Sequence, residues 1–350
     1  MTVILSRRQF LSLSASVSFM PLFAQVGLGQ KASMFAGINL SGAEFGSVPG
    51  VYGRDYLYPG LRSIEYFRRL GFNLIRLPFL WERLQPDLWG PFVAAEQNHL
   101  VELAGYFGER QMQLVLDPHN YARRKIAADD WRHEHLIGSA EVPTEAFVNF
   151  WTRLASLFRG SKNVIFGVMN EPYGLPAADW FSIANQVIAG IRTADAANLI
   201  LVPGTAYTGA HSWIRAGNGI LAGVKDPANN YLFEVHEYLD EDSSGTHPEA
   251  VSPTVGSERI RQFEAWAREH KVRAFLGEFG ASAKDQSLHA LSDLCRALTA
   301  SPDVWAGWSA WSGGPWWPRD YMFNLEPLPD GKERQQTKIL ASFARQMTRS

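Results

Sequence analysis

A chain of 350 residues, 46% hydrophobic and 19% charged, is long enough for two average domains or one large barrel. Its 33 Lys and Arg against 35 Asp and Glu give a net charge of −2 with no long run of either sign, which argues against a nucleic-acid partner and against a disordered acidic tail. The lone cysteine, Cys295, rules out an intramolecular disulfide and any zinc or iron–sulfur centre built from several thiolates. What the composition has in excess is aromatic: 12 Trp are more than a core needs, so some are expected to face flat apolar ligands.

The first 29 residues read as a separate object. Ser6-Arg7-Arg8-Gln9-Phe10-Leu11 opens a modest, serine-interrupted apolar stretch running to Leu28. This resembles a twin-arginine export signal and is too broken to be a stable transmembrane span. Cleavage is expected after Gly29, leaving residues 30–350 as one domain delivered to the periplasm or secreted. That route carries proteins already folded, which suits a chain with no disulfide to form outside.

Beyond the leader, short apolar runs alternate with amphipathic stretches. The predicted strands are Met34–Leu40, Asn73–Pro78, Gln113–Asp117, Val164–Met169, Leu199–Val202, Tyr231–Glu237, Arg273–Gly277 and Val304–Ala310. The predicted helices are Leu61–Leu70, Ala94–Gln111, Thr144–Phe158, Ala178–Thr193, Glu258–His270, Ser287–Ala300 and Glu333–Met347. Continuous apolar strands without alternation suit a parallel sheet covered by helices. Eight strands, most followed by a helix, point to an α/β fold, a single (β/α)8 TIM barrel with enlarged loops.

In such barrels chemistry sits where strands end. The second strand closes on Arg76 and the third on Asp117-Pro118-His119-Asn120-Tyr121-Ala122-Arg123. The fourth closes on Asn170-Glu171-Pro172, and the sixth carries Glu234, His236 and Tyr238 on one face by its period of two. The seventh closes on Gly277-Glu278-Phe279-Gly280, and the eighth carries Trp308 and Trp311 toward Trp316 and Trp317. Glu171 and Glu278 each end an apolar run, on strands expected across the mouth from one another. Two carboxyl groups so placed suit acetal hydrolysis: one protonates the leaving oxygen, the other traps or stabilises the sugar cation.

On these residues the chain resembles glycoside hydrolase family 5 of clan A, and within it the bacterial and fungal endo-β-1,4-glucanases, from about Gly37 to Trp311. The tracts His119–Arg123 and His236–Asp240 through His247 carry the likeness to the endoglucanases. The resemblance implies Glu171 as acid/base and Glu278 as nucleophile of a retaining mechanism, with Arg76, His119, Asn170, His236, Tyr238 and Trp311 at the remaining active-site positions. Arg76 and Tyr238 are then expected to hold Glu278 ionised with a low pKa, Asn170 to meet the sugar 2-hydroxyl, His119 and His236 to bind hydroxyls or tune the acid, and Trp311 to offer an apolar face. Trp316 and Trp317 either extend the cleft or anchor a loop.

The expected partner is a β-glucan chain alone, with no nucleic acid and, after leader removal, no membrane. The protein is expected to be a monomer needing no cofactor or metal. Asp240, Asp242, Ser244 and Gly245 imitate the start of a calcium loop but place Val251 where a bidentate Glu is required. His133-Glu134-His135 reads as a surface loop, and Arg123-Arg124 as part of an ion-pair network at the rim. Tyr173 stands where the subfamily often has His, beside the acid/base, and the single cysteine departs from the disulfides of fungal members. Alternatives within the same chemistry are a retaining β-glycanase on mannan, xyloglucan or mixed-linkage glucan, or a transglycosylase. A non-catalytic glucan-binding protein is a third class, and the pair of glutamates argues against it.

Overall fold

The computed structural model describes residues 34–348, so the twin-arginine segment and its cleavage site lie outside the described residues. Eight parallel strands close a barrel: β1 (Phe35–Leu40), β2 (Leu74–Phe79), β3 (Gln113–Pro118), β6 (Val164–Gly167), β7 (Ile200–Pro203), β8 (Tyr231–His236), β9 (Ala274–Glu278) and β10 (Trp305–Gly313), with β10 pairing back onto β1. Between β3 and β6 a small antiparallel hairpin, β4 (Arg123–Lys125) and β5 (Glu134–Leu136), stands apart from the barrel. Helices α1 (Leu61–Arg69), α2 (Trp81–Leu84), α3 (Ala94–Glu109), α4 (Thr144–Phe158), α5 (Ala177–Thr193), α6 (Val255–His270), α7 (Asp285–Ala300) and α8 (Gln335–Thr348) complete the units. Each strand and helix expected from the sequence is present within a few residues. The β7 unit alone has no long helix before β8, and short turns at 206–208, 210–212 and 218–223 take its place.

Period-two alternation along each strand sorts side chains between two cores. Outward residues such as Ile75, Leu114, Phe166, Val202, Phe233 and Leu276 meet the apolar faces of the helices. Inward residues Leu74, Val115, Ile165, Leu201, Leu232, Phe275 and Ala306 fill the bottom of the barrel with a dry plug. Two residues further along the strands, the inward side chains are Arg76, Asp117 and Glu234, all buried. The barrel therefore changes from apolar to charged within one turn of the pleat. Gly277 belongs to this layer for a steric reason: a β-carbon there would lie 2.2 Å from Glu234 Oε1.

Trp308 corrects the expectation that the eighth strand turns it to the rim. It is fully buried on the outer face, edge-on to Phe72 and Phe279: a bulge between Trp305 and Gly307 breaks the alternation of the strand, so that Ala306 faces inward and Trp308 outward, opposite to Trp311 three residues on. His133-Glu134-His135 is likewise only partly a loop: Glu134 and His135 lie in β5, and His135 Nε2 sits 2.7 Å from Asp129 Oδ2.

Candidate active site

The charged layer centres on Arg76. Its Nε donates to Glu234 Oε1 at 2.8 Å, Nη1 to Asn39 Oδ1 at 3.0 Å and Glu278 Oε1 at 2.9 Å, and Nη2 to Asn170 Oδ1 at 2.8 Å. Asp117 Oδ2 lies 3.0 Å from the same Nη1. One guanidinium fork thus holds five side chains from five other strands or strand ends. A point charge could not, because only the planar fork has donors in several fixed directions. Burial opposes the charge on Arg76, yet the carboxylates of Asp117, Glu234 and Glu278 outweigh it and raise its pKa.

Above this layer stand the two rim glutamates. Glu171 follows β6 with a left-handed backbone, φ 39°, which turns the chain outward as the strand ends. Its Oε1 is 2.7 Å from His236 Nδ1, and His236 Nδ1 is 3.7 Å from Glu278 Oε2. Ligand atoms of Glu171, His236 and Glu278 all lie within 4.8 Å of one another. Tyr238 donates its hydroxyl to Glu278 Oε2 at 2.9 Å while its ring stacks on Phe323. Burial pushes that hydroxyl far above the ordinary tyrosine range, so it remains a donor. Burial works against a charge on His236, but Glu278, Glu171 and Glu234 together lift its imidazole to about 10. The two glutamates on either side thus favour the charged form of His236.

Glu278 departs from the low pKa expected of it. Complete burial raises its carboxyl above the usual value, and the charges of His236 and Arg76 only partly pull it back. The expectation counted partners and omitted the loss of hydration.

His119 Nδ1 lies 2.8 Å from Asp117 Oδ2, and its Nε2 is 3.2 Å from both Asn170 Nδ2 and Tyr121 Oη. Because Arg76 holds Asn170 by its oxygen, the Asn170 amide nitrogen is the donor toward His119. Trp311 lies over His119 in a stacked pair, centroids 5.5 Å apart, and is braced by an Nε1–H bond to Tyr321 Oη. Arg76, His119, Asn170, Glu171, His236, Tyr238, Glu278 and Trp311 are therefore brought together. Asp117, Glu234 and Tyr121 join them, and the period-two runs Asp117–His119–Tyr121 and Glu234–His236–Tyr238 were their signal in the sequence.

Two hollows lie at this rim, one bounded by His119 and Trp311 and the other by Glu171 and His236. One, about 350 Å³, is lined by Glu44, Phe45, His119, Trp311 and Trp317. Trp317 is held by a face-to-face stack on Tyr321 at 4.0 Å and by the edge of Phe45, so it both lines the cleft and anchors its loop. The other, about 470 Å³, is lined by Glu171, Tyr207, His211, His236 and Ser244. Tyr207 is half exposed and stacked on Tyr173 at 4.6 Å, and the Arg123 guanidinium lies 3.7 Å over Tyr173. Residues 206–208 all have positive φ, a strained run that holds Tyr207 beside Glu171.

Arg123 and Arg124 make no rim ion pair among the described residues. Arg123 Nη1 donates to the carbonyls of Tyr121 and Tyr173, and Arg124 Nη2 to those of Gln85 and Pro86, with Trp81 beneath its guanidinium. Both arginines are spent on backbone oxygens that the enlarged loops leave without partners. The calcium-like loop has its own internal logic: Asp240 accepts from Gly245 N, Thr246 N, His247 N and Ser244 Oγ, which makes its carboxylate the cap of the loop.

The family model described as Cellulase (glycosyl hydrolase family 5) matches residues 30–314. Endo-beta-1,4-glucanase A of Emericella nidulans is 35% identical over 92% of this chain and 96% of its own length. Endo-beta-1,4-glucanase B of Aspergillus niger is 35% identical over 87% of this chain and 89% of its own. Among solved structures, an endo-beta-1,4-glucanase of Xanthomonas axonopodis pv. citri superposes with a TM-score of 0.85 at 42% identity, covering 90% of this chain and 99% of that one. The complex of XacCel5A with cellopentaose superposes at 0.84 and 42% identity, covering 90% of this chain and 100% of that one.

Proposed function

From a chain that belongs to glycosyl hydrolase family 5, the cellulase family, and is a glycoside hydrolase of the cellulase type, we propose an endo-β-1,4-glucanase that cleaves internal bonds of cellulose-like chains with retention. The observation that carries the reading is the pair Glu171 and Glu278, with oxygens within 4.8 Å of one another across His236, between two aromatic-walled hollows. Retaining enzymes hold their carboxyl groups about 5–5.5 Å apart, leaving no room for an intervening water. Glu278, fixed by Arg76 and Tyr238, attacks the anomeric carbon. Glu171 gives its proton to the departing glycosidic oxygen, and the bond to that oxygen breaks. Glu171 then takes a proton from water, the oxygen of which attacks the same carbon and releases Glu278.

Asn170, next to the acid/base and oriented by Arg76, is the residue for the sugar 2-hydroxyl, a bond that strengthens as the ring flattens. Trp311 and Trp317 offer apolar faces to the glycone, and Tyr207 lies on the leaving-group side. Support for the substrate comes from the relatives named as endo-β-1,4-glucanases and from the cellopentaose complex of XacCel5A. The test is a product profile over soluble β-1,4-glucan, mixed-linkage glucan, xyloglucan and mannan. Rapid loss of viscosity with internal cleavage of β-1,4-glucan is expected, with at least tenfold lower rates on mannan. Preference for mannan or xyloglucan, or net sugar transfer in place of hydrolysis, would move the assignment to those substrates.

The Arg7-Arg8 pair supports export of the folded enzyme to the periplasm or beyond, and residues 30–350 as the mature domain. Replacing both arginines by Lys is expected to leave active precursor in the cytoplasm, measured by fractionation. Undiminished export of that variant would refute the twin-arginine route.

A further inference from the structure

The turn after β7 carries a histidine that the double displacement does not use. The His211 backbone N–H donates to Glu237 Oε2 at 2.8 Å, and its Nδ1 lies 3.1 Å from the same oxygen. Glu237 is buried, with Arg259 Nη1 3.8 Å from its other oxygen, and it directly follows His236 in the chain. The imidazole is therefore positioned by the residue next to His236, which bonds Glu171. Gly209 strengthens the link: it bridges to His236, and a β-carbon on it would lie 2.8 Å from His211 Cε1, so only glycine lets the ring lie against the backbone there.

An imidazole whose Nδ1–H is taken by a carboxylate presents Nε2 as a lone-pair acceptor. Nε2 of His211 has no hydrogen-bond partner among the described residues, and the side chain is 27% exposed in the hollow that Glu171 and Tyr207 share. That hollow receives whatever leaves Glu171 on protonation. A sugar there presents hydroxyl donors at its edge and an apolar face to Tyr207.

We propose that His211, oriented by Glu237, accepts a hydrogen bond from a hydroxyl of the leaving-group-side sugar and so selects chains that continue beyond the scissile bond. This assignment rests on the glucanase reading above. His211 is a specificity-determining residue and Glu237 its positioning residue.

The test compares kcat/KM for cellotetraose with that for 2,4-dinitrophenyl β-cellobioside, which has no sugar on the leaving side. For His211→Ala the ratio of the two values should fall about tenfold, the size of one lost hydrogen bond in a binding site. Glu237→Gln should move the ratio the same way. Both rates scale with the folded fraction, so the ratio is blind to partial misfolding. An unchanged ratio in His211→Ala, whether both rates fall or neither does, overturns the assignment. A wild type inert on both substrates defeats the glucanase reading, and this assignment with it.

Discussion

Glu278→Gly is expected to reduce turnover of β-1,4-glucan by at least about a thousandfold, and azide to restore cleavage of an activated β-cellobioside with an α-glycosyl azide as product. The gap left by the carboxylate lies over Arg76 and Tyr238, whose donors remain aimed into it and suit a small anion. Azide then attacks once, from the face Glu278 used, and inverts the anomeric carbon. Glu171→Ala breaks a different step. The glycosyl-enzyme still forms from substrates with good leaving groups, and azide attacks it from the opposite face to give the β-azide. The products are distinguished by the anomeric proton coupling in NMR. The same anomer from both variants would reverse or remove the roles assigned to the two glutamates.

The second large effect is on stability and pH together. Arg76→Met removes the cation from among Asp117, Glu234 and Glu278, all buried. Stripping one partner from a buried charge cluster costs about 3–5 kcal/mol, enough to lower the midpoint of thermal unfolding by about five to eight degrees. The sign of the pH effect follows from Glu278, whose carboxyl burial already raises. Losing Arg76 raises it further, so the nucleophile is protonated, and activity lost, at a higher pH than in the wild type. A carboxyl raised by folding contributes most when protonated, and that contribution is lost as pH rises through its folded-state pKa. The stability deficit of Arg76→Met should therefore be greatest at neutral pH and narrow in mild acid. A deficit independent of pH would mean that packing, and not charge, is what Arg76 supplies.

The barrel was legible in the chain because its signals are local. Apolar runs near Leu74, Val115 and Leu201 are short and unalternating, and helical spacing such as Ile64 to Phe67 lies between them. The cluster of rim residues was legible because strand ends carry it in order, from Arg76 to Glu278. What stayed hidden depends on pairing between distant residues. Nothing around Arg123 says that its charge is spent on the Tyr121 and Tyr173 carbonyls, or that Tyr173 and Tyr207 stack. His211 lies in a turn without a motif, and its partner Glu237 is 26 residues away, just past the end of β8. Trp308 was misplaced because the bulge between Trp305 and Gly307, which turns it outward, leaves no mark in the sequence pattern.

The charged layer also bears on how the chain reaches its fold. The partners of Arg76 lie 37, 94, 158 and 202 residues along the sequence, on both sides of the seam where the first strand meets the last. An amino-terminal half alone would pair Arg76 with Asp117 only, and a carboxyl-terminal half alone would hold Glu234 and Glu278 in an apolar setting without Arg76. Half-assembled forms are thus penalised by unmatched charge on top of an open sheet edge. The guanidinium that orders the active site also acts as a closure sensor: it finds its full set of acceptors only when the circle is complete, which couples the two halves into one cooperative unit.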